Sequence, residues 1–206
     1  MQSAIDSTVS PETHPFAINP RQTGLDPISF PELFGNDRPV ILEIGSGKGR
    51  FLIDSATERP EVNFVGIEKS LHYHRLIVSR LAKRSLSNVR LINHDAFVVL
   101  QKMIGDATLH EVHIYFPDPW PRPREQKRRM IRTEVLHEIR RVLVPGGSAI
   151  YVTDHAQYAE AATPLIAEHF RSEARHPGPE DVARTNYEAK YRAEGRPIYE
   201  VRFYKD

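Results

Sequence analysis

The run Val40-Ile41-Leu42-Glu43-Ile44-Gly45-Ser46-Gly47-Lys48-Gly49 decides the fold. An almost unbroken apolar stretch leads straight into three glycines at alternate positions. A short apolar run of this kind is the mark of a strand buried on both faces, and such strands belong to parallel sheets. Glycines directly after it permit positive φ and a close backbone approach to a ligand. A helix is expected next, over 49–57. Outward from this unit the pattern repeats. Strands are expected over 63–68, 89–92, 112–116 and 148–152, and helices over 71–81, 96–102 and 131–143. In the last helix Ile131, Val135, Ile139 and Val142 share one stripe, and Pro145-Gly146-Gly147 is expected to stop it and turn the chain. Tyr199, Val201 and Phe203 alternate with Glu200 and Arg202, which reads as a late antiparallel strand. Strand–helix alternation predicts an α/β, Rossmann-like, mostly parallel sheet with helices on both faces.

Size and composition narrow the possibilities. A chain of 206 residues with 40% apolar content fits one domain with a real core. Six of sixteen prolines fall before residue 40, so 1–36 reads as a Pro-rich, extended or flexible arm, and 37–206 as the domain. The net charge is only +1, so nucleic-acid binding must rest on local clustering. Cysteine is absent, which excludes disulfides, thiolate metal sites and Cys nucleophiles. No His/Asp spacing makes a convincing metal site. The start, Met1-Gln2-Ser3-Ala4-Ile5-Asp6, lacks the features of a signal peptide, and no apolar run approaches the ~20 residues that span a bilayer. The expectation is a cytoplasmic protein away from membranes; composition does not decide between monomer and homodimer.

Acids fall where the strands end. Glu43 sits just inside the first expected strand, Glu68 ends the second, and Asp95 and Asp118 follow the third and fourth. Open α/β sheets bind ligands at that edge. Gly45, Gly47 and Gly49 are spaced Gly-x-Gly-x-Gly, unlike the dinucleotide fingerprint. Glu43 would repel a pyrophosphate but attract a cation, and Glu68 stands where an acid takes ribose hydroxyls. A tight ligand-free turn, and a helix-capping role for Asp95, stay open as plainer readings. An acidic crevice suits S-adenosylmethionine better than NAD, and here the chain resembles methyltransferases with a seven-stranded Rossmann-like sheet.

The other informative run is Tyr115-Phe116-Pro117-Asp118-Pro119-Trp120-Pro121-Arg122, followed at once by Pro123 to Arg129. From Arg122 to Arg141 there are eight Lys or Arg against three acids. Extending the apolar stripe backwards puts Arg124 and Arg128 on its apolar side. The packed helix is therefore expected to start near 127–129, with the earlier basic residues projecting to bind phosphates. Arg75, Arg80, Lys83 and Arg84 form a weaker basic group that solubility explains equally well.

Phe116 to Pro121 with Lys127-Arg128-Arg129 resembles the signature of the tRNA (guanine-N7-)-methyltransferase family. The resemblance extends through residues 42–49, Gly66-Ile67-Glu68, Asp95-Ala96, Thr153-Asp154, Thr185-Asn186-Tyr187-Glu188 and Gly195-Arg196-Pro197-Ile198-Tyr199. It implies transfer of a methyl group from S-adenosyl-L-methionine to N7 of guanosine 46 in the tRNA variable loop. It implies cofactor roles for Glu43, Glu68, Asp95 and Asp118, with Asp118 also catalytic. Arg122 matches a substrate-contacting Lys, and 124–129 the RNA-contacting segment, including Arg124, Lys127, Arg128 and Arg129. Asp154, Thr185, Asn186, Tyr187 and Glu188 match the guanosine pocket. Two residues depart from the pattern: Glu125 stands where relatives often have His, and Arg122 where they have Lys, which exchanges a point charge for a planar fork.

Chemistry agrees with that implication. N7 of guanine carries a lone pair and no proton, so its methylation needs alignment and a field that tolerates positive charge, not a general base. Asp118 is therefore expected to orient and stabilise. Three alternatives share parts of the pattern. A non-catalytic RNA module would not need Asp118, a small-molecule methyltransferase would not show salt-sensitive RNA affinity, and a dehydrogenase fits neither the glycine spacing nor the acids.

Overall fold

A computed structural model describes residues 14–178 and 180–206. The chain divides at Ile104/Gly105 into two compact units. The first carries β1 (Ala17–Ile18), β2 (Val40–Ile44), β3 (Asn63–Ile67) and β4 (Val89–Ile92), ordered β1-β4-β3-β2 with every pairing parallel. All residues of β2 and β3 are buried, as a parallel strand covered on both faces requires. Helices α3 (Arg50–Glu58), α4 (Leu71–Ala82) and α5 (Ala96–Met103) follow these strands, close to where the periodicity puts them. Leu52, Phe64, Leu81 and Leu91 are fully buried, each such side chain contributing about 1.5–3 kcal/mol.

The Pro-rich segment is structured from His14 onward, unlike the arm expected there. β1 adds a two-residue strand to β4, and two short helices follow, α1 (Pro20–Thr23) and α2 (Phe30–Phe34). Pro20 and Pro31 sit in the first turns of these helices, after the caps Asn19 and Ser29. The prolines there start helices and do not keep the chain extended. The rest of the expected arm, residues 1–13, lies outside the described residues.

The second unit carries β5 (Leu109–Tyr115), β6 (Leu143–Thr153), β7 (Arg171–Arg175) and β8 (Tyr199–Tyr204), ordered β5-β6-β8-β7. β5 and β6 run parallel, while β8 runs antiparallel between β6 and β7. With β1 the described strands number eight, one more than the seven expected. Helices α6 (Thr133–Val142), α7 (Ala156–His169) and α8 (Asn186–Ala193) complete the unit.

Two expectations fail here. Pro145-Gly146-Gly147 does not turn the chain, because β6 begins at Leu143, directly after α6. The register with β5 shifts between Leu109 and Glu111, so the motif is a bulge inside the strand. Lys205 holds it, accepting from Gly146 N–H and donating to the Gly147 carbonyl, both at 2.9 Å. The second failure is helical phase. Residues Pro123–Arg128 form a 3-10 turn, and Arg129 is extended at ψ 144°. The α6 stripe therefore cannot be extended back through Arg124, and α6 starts at Thr133.

Candidate methyl-transfer site

In the first unit the parallel register brings the ends of β2, β3 and β4 to one edge, pairing Ile44 with Ile67 and Ile67 with Ile92. Gly45, Gly47 and Gly49 all take positive φ. Gly49 is confined as well as left-handed: a Cβ on this backbone would lie 2.8 Å from Ile77. Gly66, opposite Glu43, is equally confined: a Cβ would strike Leu52 and come within 2.7 Å of Leu91 and of Ser46 Oγ.

Glu43 is only 2% exposed. Its Oε2 is buried and meets no donor in good hydrogen-bond geometry among the described residues; the nearby Ser46 hydroxyl, also buried, approaches the carboxyl only loosely. Burial pushes the Glu43 carboxyl up to about 8; the Ser46 hydroxyl works against that shift and the Glu68 charge adds to it. A buried acid with an unsatisfied oxygen is costly unless a cationic donor completes it. Glu68 closes the glycine loop, accepting from Gly47 N–H and Ser70 N–H, each at 2.7 Å. Burial raises its pKa, and those amides offset part of the rise. Lys69 N–H adds a third amide, and the carboxylate's four lone pairs leave one for a hydroxyl ligand. Asp95 caps α5, accepting from Phe97 and Val98 N–H, and pairs with Lys69 at 3.1 Å. Burial alone would raise its pKa, but Lys69 and the helix amides outweigh that and hold it low. The capping reading of Asp95 is thus correct, and it leaves one carboxylate oxygen toward Lys69.

In the second unit Asp118 lies exposed in the loop after β5. The loop is strained at both ends. Phe116 and Trp120 take φ of 49° and 41°, which non-glycine residues rarely adopt. Each costs on the order of 1–3 kcal/mol and persists only where surroundings enforce it. The enforcement is visible. Phe116 N–H donates to the Val152 carbonyl at 2.8 Å, and its ring packs 5.4 Å from Tyr191. The Arg128 guanidinium lies 4.9 Å over the Trp120 ring. Pro117 and Pro119 fix φ on either side of Asp118.

The basic residues separate into two kinds. Arg122, Arg124, Lys127 and Arg128 are exposed. Arg122 pairs loosely with Glu125 at 3.6 Å, which explains how the acid is tolerated in a basic stretch. Arg129, expected to face RNA, is instead 7% exposed. Its Nε donates to the Pro119 carbonyl at 2.8 Å and its guanidinium sits 4.6 Å over Tyr158. It fastens the Asp118 loop from behind.

The expected guanosine-pocket residues separate likewise. Thr185 caps α8 and accepts from Glu188 N–H at 3.0 Å. Glu188 is 0% exposed and accepts from Arg184 N–H at 3.0 Å, Arg184 Nε at 3.3 Å and Arg192 Nη2 at 2.6 Å. Thr185-x-x-Glu188 is therefore a variant capping box, a pattern readable in the sequence. Asn186 and Tyr187 are exposed. Asp154, after β6, pairs with Arg196 at 2.9 Å, and Arg196 lies 4.4 Å over Tyr191. Sequence reading missed Arg184 and Tyr191, which carry no motif of their own before the fold assembles them; Arg196 lies in the 195–199 motif, but no role was attached to it. Among the described residues no cluster suits a metal ion, and no helix is long and apolar enough to cross a membrane.

Comparison with known proteins adds a family. A family model described as "Putative methyltransferase" matches residues 37–201. The tRNA (guanine-N(7)-)-methyltransferase of Rhodopirellula baltica is 38% identical over 191 residues, covering 86% of this chain and 70% of that protein. The enzyme of the same name from Colwellia psychrerythraea is 34% identical, covering 86% and 75%. The one from Nitrosomonas eutropha is 41% identical over a shorter stretch, 65% of this chain and 60% of that protein. Among solved structures, the 16S rRNA methyltransferase KamB aligns with TM-score 0.64 at 16% identity, over 86% of this chain and 92% of that one. An antibiotic-related methyltransferase aligns with TM-score 0.62 at 21% identity, over 88% and 96%. At such identities these two speak for the fold.

Proposed function

We propose that this chain, which belongs to the tRNA (guanine-N7-)-methyltransferase family, transfers a methyl group from S-adenosyl-L-methionine to N7 of a guanosine in tRNA, at position 46 of the variable loop. The observation that carries the reading is the Phe116–Trp120 loop, two left-handed residues holding an exposed Asp118 ahead of an exposed basic turn. Strain held in place by packing marks a segment kept for use.

The first unit fits the cofactor. Glu43 Oε2, buried and unpartnered, suits an ammonium. Glu68 anchors the glycine loop and retains a lone pair for a ribose hydroxyl, and Asp95 lies at the neighbouring strand end. When bound, the cofactor supplies an electrophilic methyl on a sulfonium. The protein's own part is positional and electrostatic. Asp118 accepts a hydrogen bond from the guanine edge and stabilises the positive charge that arrives with the methyl. Arg122, Arg124, Lys127 and Arg128 neutralise phosphates and hold the RNA in register. Arg129 holds the loop that carries Asp118. No general base is required, because N7 has no proton to lose.

The test is methyl transfer to unmodified tRNA followed by nucleoside analysis. N7-methylguanosine at one variable-loop position is the expected product. Its absence from tRNA, with the protein folded and cofactor supplied, overturns the reading.

A further inference from the structure

We propose that Arg184 is a positioning residue, which transmits the order of α8 to the Asp118 loop through the ring of Tyr115. The inference rests on the methyltransferase reading for its kinetic consequence but not for its structural one.

Tyr115 is the last residue of β5 and the one before strained Phe116. It is buried, and its hydroxyl lies 2.8 Å from His113 Nδ1. The other His113 nitrogen, Nε2, is 2.8 Å from Glu111 Oε2. With the imidazole neutral, Nε2–H donates to the carboxylate, and Nδ1 accepts a hydrogen bond from the tyrosine hydroxyl. Three alternate residues of one strand thereby lock the ring from one end. The Arg184 guanidinium lies 5.1 Å over its face.

That guanidinium is itself over-determined. Its Nε and Nη2 donate to Glu188 at 3.3 and 3.4 Å, and Nη2 donates to Glu200 at 2.6 Å. Glu200 is buried on β8 and also accepts from Arg175 Nε at 2.9 Å. Glu188 adds Arg192 at 2.6 Å, which in turn holds the carbonyls of Gly178 and Asp181 at 2.7 Å. Two buried carboxylates so fix one planar cation, and a planar fork can face two acids and a ring at once where an ammonium cannot. α8 also reaches the loop directly, through Tyr191 against Phe116. Glu188 therefore acts on the loop through Arg184, and not by touching the base.

Trp120 is the only tryptophan and sits in the loop, so its emission reports loop order without any RNA. The variants are Arg184→Met, Arg184→Lys and, as control, Arg175→Met, which frees the same Glu200 but lies off Tyr115. Arg184→Met should raise acrylamide quenching of Trp120. It should lower kcat by about 10- to 100-fold with KM for tRNA held within about twofold, since misplacement near 1 Å costs rates of that order. Arg184→Lys should recover thermal stability yet leave quenching high and kcat low. Arg175→Met should change stability alone. Wild-type quenching and kcat in Arg184→Lys, or the same quenching and kcat loss in Arg175→Met, overturns the proposal. If wild-type protein makes no N7-methylguanosine, the function reading falls, and the quenching series still decides the role of Arg184.

Discussion

Replacing Glu43 with Gln should make the ligand-free protein more stable and less active. The side chain keeps its shape and loses its proton equilibrium. In the folded protein burial pushes the carboxyl up to about 8, from an ordinary 4.5. Below 4.5 both folded and unfolded chains hold the proton, and the group costs nothing. Between the two values unfolding releases a proton, so stability falls as pH rises, and the loss is complete above 8. With about 1.4 kcal/mol per pH unit, the penalty reaches roughly 3 kcal/mol at pH 7 and approaches 5 above pH 8, as upper figures. Gln removes the slope. For a chain of this length roughly 3 kcal/mol is on the order of 6–12 °C in melting temperature. Urea unfolding of wild type and variant at pH 5, 6.5 and 8 measures it. The two should converge at pH 5 and separate progressively above it, with the variant higher. Saturating S-adenosylmethionine should narrow the gap by stabilising the wild type preferentially. A gap independent of pH, or a variant less stable at pH 8, would refute the reasoning.

Asp118→Asn should cost about 100-fold or more in kcat, the scale of losing one charge-stabilising group, with the pH–rate profile unchanged near neutrality. A wild-type profile that follows one ionisation between about pH 6 and 7 contradicts the orienting role. Arg124→Ala with Lys127→Ala should weaken tRNA binding across all sequences and flatten the log K against log salt slope by about 1 to 2; an unchanged slope removes these residues from the RNA surface. Gly49→Ala meets both a φ of +75° and Ile77 at 2.8 Å. It should cost roughly 2–4 kcal/mol in urea unfolding, and a loss below about 1 kcal/mol would show that the turn tolerates a side chain.

The parts of the fold that were legible are those where one physical rule acts alone. β2 and β3 are buried on both faces and read as unbroken apolar runs, and the glycines that follow take the positive φ they were expected to take. Misreadings arose where two rules compete. Proline breaks helices in general but favours their first turn, and Pro20 and Pro31 occupy first turns behind polar caps. Pro-Gly-Gly stops chains in general but also builds bulges, and Lys205, just past β8 and far along the sequence, selects the bulge. α7 carries Pro164 inside an otherwise helix-forming, alanine-rich stretch, a position where proline ordinarily argues against a helix. Arg129 could not be told from Arg128 by composition. One carbonyl, Pro119, and one ring, Tyr158, bury the first, and neither is a sequence neighbour.

Under the proposed function the two charged regions answer opposite electrostatic demands, which gives them separable signatures. An acid that must select a cation gains from burial, since low polarity magnifies the attraction once the ligand arrives. The same burial makes an unpaired carboxylate costly, and Glu43 Oε2 is buried. Basic residues that must hold a polyanion reversibly gain from exposure, since counterions released from the phosphates supply the affinity and salt can reverse it. Arg124 and Lys127 are accordingly exposed. Salt dependence of tRNA binding should therefore move with Arg124 and Lys127 and not with Glu43. The pH dependence of ligand-free stability should move with Glu43 and not with either basic residue. A double variant, Glu43→Gln with Lys127→Ala, should show both changes at their single-variant sizes, because independent sites add within about 0.5 kcal/mol. A larger interaction would mean that the acid and the basic turn share one equilibrium, with no division of labour between them.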